Sequence, residues 1–218
     1  MRKLLWLVAI IFLFGCSLNT APSSSGKAPD PMSLREELNR IVNRQISRDP
    51  FSFSIILGGD PGYRFVGVQK GTDWTLKSEG TGEPIKLTKK GSEIELVLSK
   101  NTEKLSERQF GLISPRDHLL LLQEAADRIK PVSSGDPNIQ GMEITLDKNK
   151  IGQIVEQQMG SREAAREIAR HASQKIQVRY LLWYRTDNRE LTRMEIHLDS
   201  SISSSGLKKH VLYILRDP

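Results

Sequence analysis

Few side chains in this 218-residue chain have the type and spacing to do chemistry, and most stand where that chemistry is not expected. Cys16 is the single cysteine, so no intramolecular disulfide can form and any role for sulfur belongs to that one thiol. The four histidines, His118, His171, His197 and His210, fall in four different predicted elements, without the two-residue or i,i+4 spacing that makes a metal pair readable. No metal and no cofactor is expected. Glu93 and Glu95, two apart on a predicted strand, share one face and form a carboxylate pair by spacing alone, but a solvated strand face is the simpler reading. Gly58-Gly59-Asp60-Pro61-Gly62 and Gly80-Thr81-Gly82 read as turns, because neither opens a helix as a phosphate cradle must. Serines are abundant, yet none sits in a Gly-x-Ser-x-Gly elbow, and the chain does not read as an enzyme.

What remains is Cys16 and the segment that presents it. Arg2 and Lys3 precede an apolar run from Leu4 to Phe14, and the run ends in Leu13-Phe14-Gly15-Cys16. This is the layout of a secretory signal, and it is shorter than the roughly 20 apolar residues that a spanning helix needs. The ending resembles the bacterial lipobox. That resemblance implies a diacylglycerol thioether on Cys16, cleavage before it, and acylation with chains such as palmitate. An ordinary signal peptide with an incidental cysteine and an uncleaved anchor are the competing readings. Two acyl chains meet the condition for stable membrane attachment, which places the rest of the chain on the extracytoplasmic side of a bacterial membrane. Ser17 to Pro31, rich in Ser, Pro and Gly, cannot bury enough surface to offset its ordering entropy and reads as a spacer. The expected organisation is a signal peptide over 1–15, a lipidated cysteine and linker over 16–32, and one domain over 33–218.

Roughly 185 residues remain for that domain, enough for a core of ordinary size. The formal charge is +6, and losing Arg2 and Lys3 with the leader lowers it to +4. Such a balance suits an anionic membrane surface or acidic envelope polymers. A basic stripe interleaved with aromatics is missing, so nucleic acid is not an expected partner.

The elements that must position any site follow from periodicity. Ser33 with Glu36 predicts a helix start, and Leu34, Leu38, Ile41, Val42 and Ile46 recur at helical spacing. After Pro50 the period becomes 2: Phe51, Phe53, Ile55 and Leu57 alternate with Ser52 and Ser54, and Tyr63 to Val68 returns after a glycine turn. Strands are predicted over Asp73–Lys77, Pro84–Leu87 and Glu93–Leu98. Ser114, Pro115 and Asp117 announce a helix with a stripe of Leu119, Leu120, Leu122, Ala126 and Ile129, ended by Pro131. A strand over Met142–Leu146, helices over Lys148–Met159 and Ser161–Gln174, and strands over Ile176–Tyr184, Leu191–Leu198 and His210–Leu215 complete the chain. This order predicts an α+β fold with helices on one face of a curved antiparallel sheet.

Two stretches carry a wider resemblance: Ile113-Ser114-Pro115-Arg116-Asp117-His118-Leu119-Leu120-Leu121-Leu122, and Val178-Arg179-Tyr180-Leu181-Leu182-Trp183-Tyr184-Arg185-Thr186-Asp187 with Leu191-Thr192-Arg193-Met194-Glu195-Ile196. With the lipobox and the element order, the chain resembles envelope lipoproteins of the LolA/LppX-like superfamily over roughly 34–215. The resemblance implies a half-open β-barrel whose helices pack on its concave face, with a hydrophobic cavity between them that takes lipids or lipidated proteins in several relatives.

The aromatic residues then become the candidates for such a wall. Trp183 and Leu181 alternate with Val178, Tyr180, Leu182 and Tyr184, so this strand is apolar on both faces and needs two covers. Leu119 to Leu122 is wider than one buried stripe, so the helix is either deeply buried or edges a cavity. Candidate wall residues are Trp183, Tyr180, Leu120 and Trp74, with ordinary core the favoured reading for Trp183 and Trp74. Two functions from different classes follow: a lipid-anchored protein holding a hydrophobic ligand, or a structural or regulatory module of the envelope that binds another protein and no ligand.

Overall fold

The computed structural model describes residues 31–58, 63–80, 82–99, 101–106, 113–159, 175–200 and 208–216. They hold α1 (Pro31–Ser47), β1 (Phe51–Leu57), β2 (Tyr63–Lys70), β3 (Asp73–Glu79), β4 (Ile85–Lys90), β5 (Glu93–Leu98), β6 (Asn101–Ser106), α2 (Pro115–Ala125), β7 (Ala126–Ser133), β8 (Ile139–Leu146), α3 (Lys148–Met159), β9 (Ile176–Arg185), β10 (Leu191–Ser200) and β11 (Lys208–Arg216). The leader, Cys16, His171 and the helix predicted over Ser161–Gln174 lie outside the described residues.

All eleven strands form one antiparallel sheet in the order β6-β5-β4-β3-β2-β1-β11-β10-β9-β8-β7. Two meanders meet where the first strand pairs with the last, with Phe53 opposite Leu215 and Ile55 opposite Tyr213. The edges β6 and β7 do not pair with each other, so the sheet is open. It is also curled. Leu87 of β4 and Leu146 of β8 line one cavity although a flat sheet would hold them about 33 Å apart. The α+β architecture expected from the sequence is the observed one.

Helix α1 opens on Pro31, whose fixed φ suits a first turn, and buries Leu38, Ile41 and Val42 completely. Polar contacts fix its place: Gln123 of α2 donates to Asn43 at 3.0 Å, and Arg189 of the β9–β10 turn reaches Glu37 at 2.8 Å. Helix α2 begins as predicted. Ser114 Oγ accepts from the Asp117 N–H at 3.2 Å, and Pro115 fills the first turn. Among the described residues no helix is long and apolar enough to cross a membrane.

Two expectations need correction. Helix α2 stops at Ala125, and Ile129 and Pro131 belong to strand β7, where they face Ile144 and Met142. The residue before a proline is pushed out of the helical region, and proline lacks the N–H of a sheet ladder, which an edge strand such as β7 can forgo. Strand β6 was not predicted at all. Its residues Asn101 to Glu103 are exposed and polar, so no alternation marks it, and it forms by pairing with β5.

Candidate functional site

Along its strands the inward face of the sheet changes from packed to hollow. At one end Phe51, Phe53, Trp74, Leu182, Met194 and their neighbours form the core. Further along the same strands Ile55, Leu57, Leu76, Tyr180, Val178 and Ile196 line a cavity of about 480 Å³, within the size range of ligand sites. Helix α2 adds His118 and Leu121, and α3 adds Ile151 and Ile154, so the space lies between sheet and helices. Leu57, at the end of β1, lines the cavity and is 38% exposed, which marks where the cavity reaches the surface.

Among the described residues, only His118, Tyr180 and Tyr213 bring polar side-chain atoms to this lining; every other described lining side chain is aliphatic or the ring of Phe65. The three are bonded to one another. Tyr213 donates its hydroxyl to the Ile113 carbonyl at 2.9 Å, so its oxygen must accept from His118 Nε2–H, 3.1 Å away. His118 Nδ1 is then the acceptor for the Tyr180 hydroxyl at 2.8 Å. An imidazole protonated on Nε2 with Nδ1 as acceptor satisfies all three bonds. Burial pushes the Tyr180 phenol well above its ordinary range, with Tyr213 adding to the effect, and burial followed by the Asp117 charge does the same for Tyr213. Both phenols stay protonated donors, and the chain of bonds leaves no free base or nucleophile among the three.

Of the residues proposed from the sequence, Tyr180 lines the cavity. Trp74 is 3% exposed but belongs to the packed end, with its neighbour Leu76 taking the cavity position. Leu120 and Trp183 need correction. The buried stripe of α2 runs through His118, Leu119, Leu121, Leu122 and Ala125, and Leu120 points away from it, 44% exposed. Trp183 faces outward, on the side of β9 opposite Tyr180 and Leu182. Its ring lies over Gly141 of β8, where an added Cβ would come within 2.7 Å, and Arg193 stacks on it at 4.8 Å. The second cover that an all-apolar strand needs is therefore supplied locally by neighbouring strands. Glu93 and Glu95 sit on a solvated face, where Glu93 pairs with Lys104 at 3.6 Å.

His118 and Tyr213 were not singled out from the sequence as wall residues. The signals were present: His118 stands three residues before Leu121 on the helical stripe, and Tyr213 shares a strand face with Val211 and Leu215. Neither pattern distinguishes a cavity wall from a filled core.

No protein-family model matches the sequence, and no curated protein does. Among solved structures, the crystal structure of LprF from Mycobacterium bovis superposes with a TM-score of 0.46 at 10% sequence identity, covering 87% of this chain and 94% of that one.

Proposed function

We propose that this chain is a membrane-anchored envelope lipoprotein of the LolA/LppX-like kind, which binds a hydrophobic ligand, a lipid or a lipidated partner, between its sheet and its helices. The observation that carries this reading is the cavity of about 480 Å³, lined by hydrocarbon and reaching the surface beside Leu57. Apolar surface left facing such a space gains by accepting apolar ligand, at about 25 cal/mol per Å² removed from water. The saturated His118–Tyr180–Tyr213 group supports a binding protein over an enzyme, because its polar atoms are engaged with each other. Anchoring rests on the sequence around Cys16, with lipid on its thiol and the domain facing the extracytoplasmic side.

Two measurements test the two halves. A fluorescent fatty acid titrated into residues 31–218 is expected to gain intensity and saturate. Val178→Trp, which fills part of the cavity from β9, weakens that binding at least tenfold, whereas Trp183→Phe on the outer face of the same strand leaves it unchanged. Equal effects from the two variants count against the cavity as the site. For the anchor, Cys16→Ser is expected to move the full chain out of the detergent phase and to abolish incorporation of labelled palmitate. Label retained in that variant contradicts the assignment of Cys16.

A further inference from the structure

On the outer face of the sheet, behind the cavity wall, antiparallel pairing brings together residues that their sequence spacing keeps apart. His197 of β10 is the cross-strand partner of His210 of β11, and their rings stack at 4.7 Å between centroids. Glu195, two residues before His197, lies on the same face of β10. Its Oε2 is 3.5 Å from His197 Nε2 and 3.5 Å from His210 Nε2. One ligand atom from each of the three residues lies within 4.8 Å of the other two.

We propose that Glu195, His197 and His210 form a binding site for a divalent transition cation, with Zn²⁺ as the expected occupant. Zinc takes imidazole nitrogen and carboxylate oxygen at about 2.0–2.2 Å, so two ligands on a tetrahedral zinc stand ~3.3–3.5 Å apart. Both carboxylate–imidazole separations have that length. They exceed the roughly 3.2 Å limit of a good N–H···O bond, and His197 Nε2, buried from solvent, has no hydrogen-bond partner among the described residues. A buried ring nitrogen without a hydrogen-bond partner, separated from a carboxylate oxygen by a gap of this size, suits a cation between them.

The surroundings orient the third ligand. Glu195 Oε1 accepts from the Trp183 indole N–H at 2.9 Å and from Arg193 Nε at 3.1 Å, which turns Oε2 toward the two imidazoles. Such outer contacts set the direction of a metal-bound carboxylate. Arg193 also opposes the cation's charge, and Arg179, the cross-strand neighbour of His197, is neutralised by Asp199 at 3.0 Å and Glu143 at 3.7 Å. Three protein ligands leave the fourth position to water or an external donor; His210, 42% exposed at its side chain, opens the site to solvent. A bound ion pins β10 to β11 directly behind Ile196 and Val211, both cavity-wall residues.

The test uses the full chain in detergent, stripped with EDTA and then given ZnCl2. Zinc at about one hundred times its Kd is expected to raise Tm by roughly 5–10 °C, and Mg²⁺ at the same concentration leaves Tm unchanged. His210→Ala, His197→Ala and Glu195→Gln each weaken zinc binding at least tenfold by calorimetry. Trp183→Phe, which keeps an aromatic ring on the outer face and removes the indole N–H, weakens it tenfold to a hundredfold because Trp183 is a positioning residue. Should a ligand variant fail to fold, Cu²⁺ bound to the unaltered chain is expected to show electron paramagnetic resonance lines from two imidazole nitrogens. A wild-type chain that binds no zinc, zinc binding that survives His197→Ala and His210→Ala, or a Cu²⁺ spectrum without nitrogen coupling overturns the proposal.

Discussion

His118 is clamped between two phenols, and this arrangement makes an alkaline prediction. Burial raises the Tyr180 and Tyr213 pKa values in the folded chain above the value of about 10 that an unfolded tyrosine has. The unfolded chain therefore releases its phenolic protons first. The stability these groups contribute is fully present below about pH 10 and is lost as pH rises above it toward the folded values. Tyr180→Phe is expected to flatten the fall of Tm between pH 9 and 11, measured by circular dichroism. At neutral pH the same variant costs about 1–3 kcal/mol, because His118 Nδ1 loses its donor in a buried place. An alkaline slope equal to that of the unaltered chain counts against the buried phenol. Strand parity alone placed Tyr180 on a different face from Trp183, so that much was legible. Which of the two faces holds the cavity was not, because it depends on Gly141 and Arg193, contributed by neighbouring strands to cover Trp183.

At the scale of elements, α2 is the piece that carries His118 and Leu121 to the cavity, and its start is set locally. Ser114→Ala removes the cap on the Asp117 N–H and is expected to cost about 1 kcal/mol, a fall in Tm of roughly 2–4 °C. A cap, a proline and an acidic residue in consecutive order state a helix start without help from the rest of the fold. The end of α2 is a different matter. Ala126 and Ile129 continue a helical stripe in sequence, and they leave it because β8 offers Ala126–Ser133 a ladder and Pro131 breaks the helix behind them. Strand β6 shows the same dependence on partners: with Asn101 to Glu103 exposed, its hydrogen bonds to β5 and not its side chains make it a strand. The His197–His210 pair was invisible for a related reason. Thirteen positions separate them, and only the β10–β11 register makes them neighbours.

For the molecule as a whole, the alternating strands and polar turns make a long antiparallel sheet legible, while its curl is not. The pairing of β1 with β11 joins the two meanders into one sheet, a contact between the two ends of the domain that no local pattern encodes. That curl creates the cavity: Leu87 and Leu146 are brought to one space only because the sheet wraps around it, with α2 and α3 on its concave side. Hydrocarbon is the proposed occupant of this space. Residues 31–218, expressed without the lipid anchor, are purified and extracted with organic solvent, and the extract is analysed by mass spectrometry alongside that of Val178→Trp. Near-stoichiometric lipid is expected with the unaltered domain and a clear loss with the variant. A folded domain that yields no lipid and does not bind added fatty acid contradicts this occupancy, and leaves a protein-binding module of the envelope as the function.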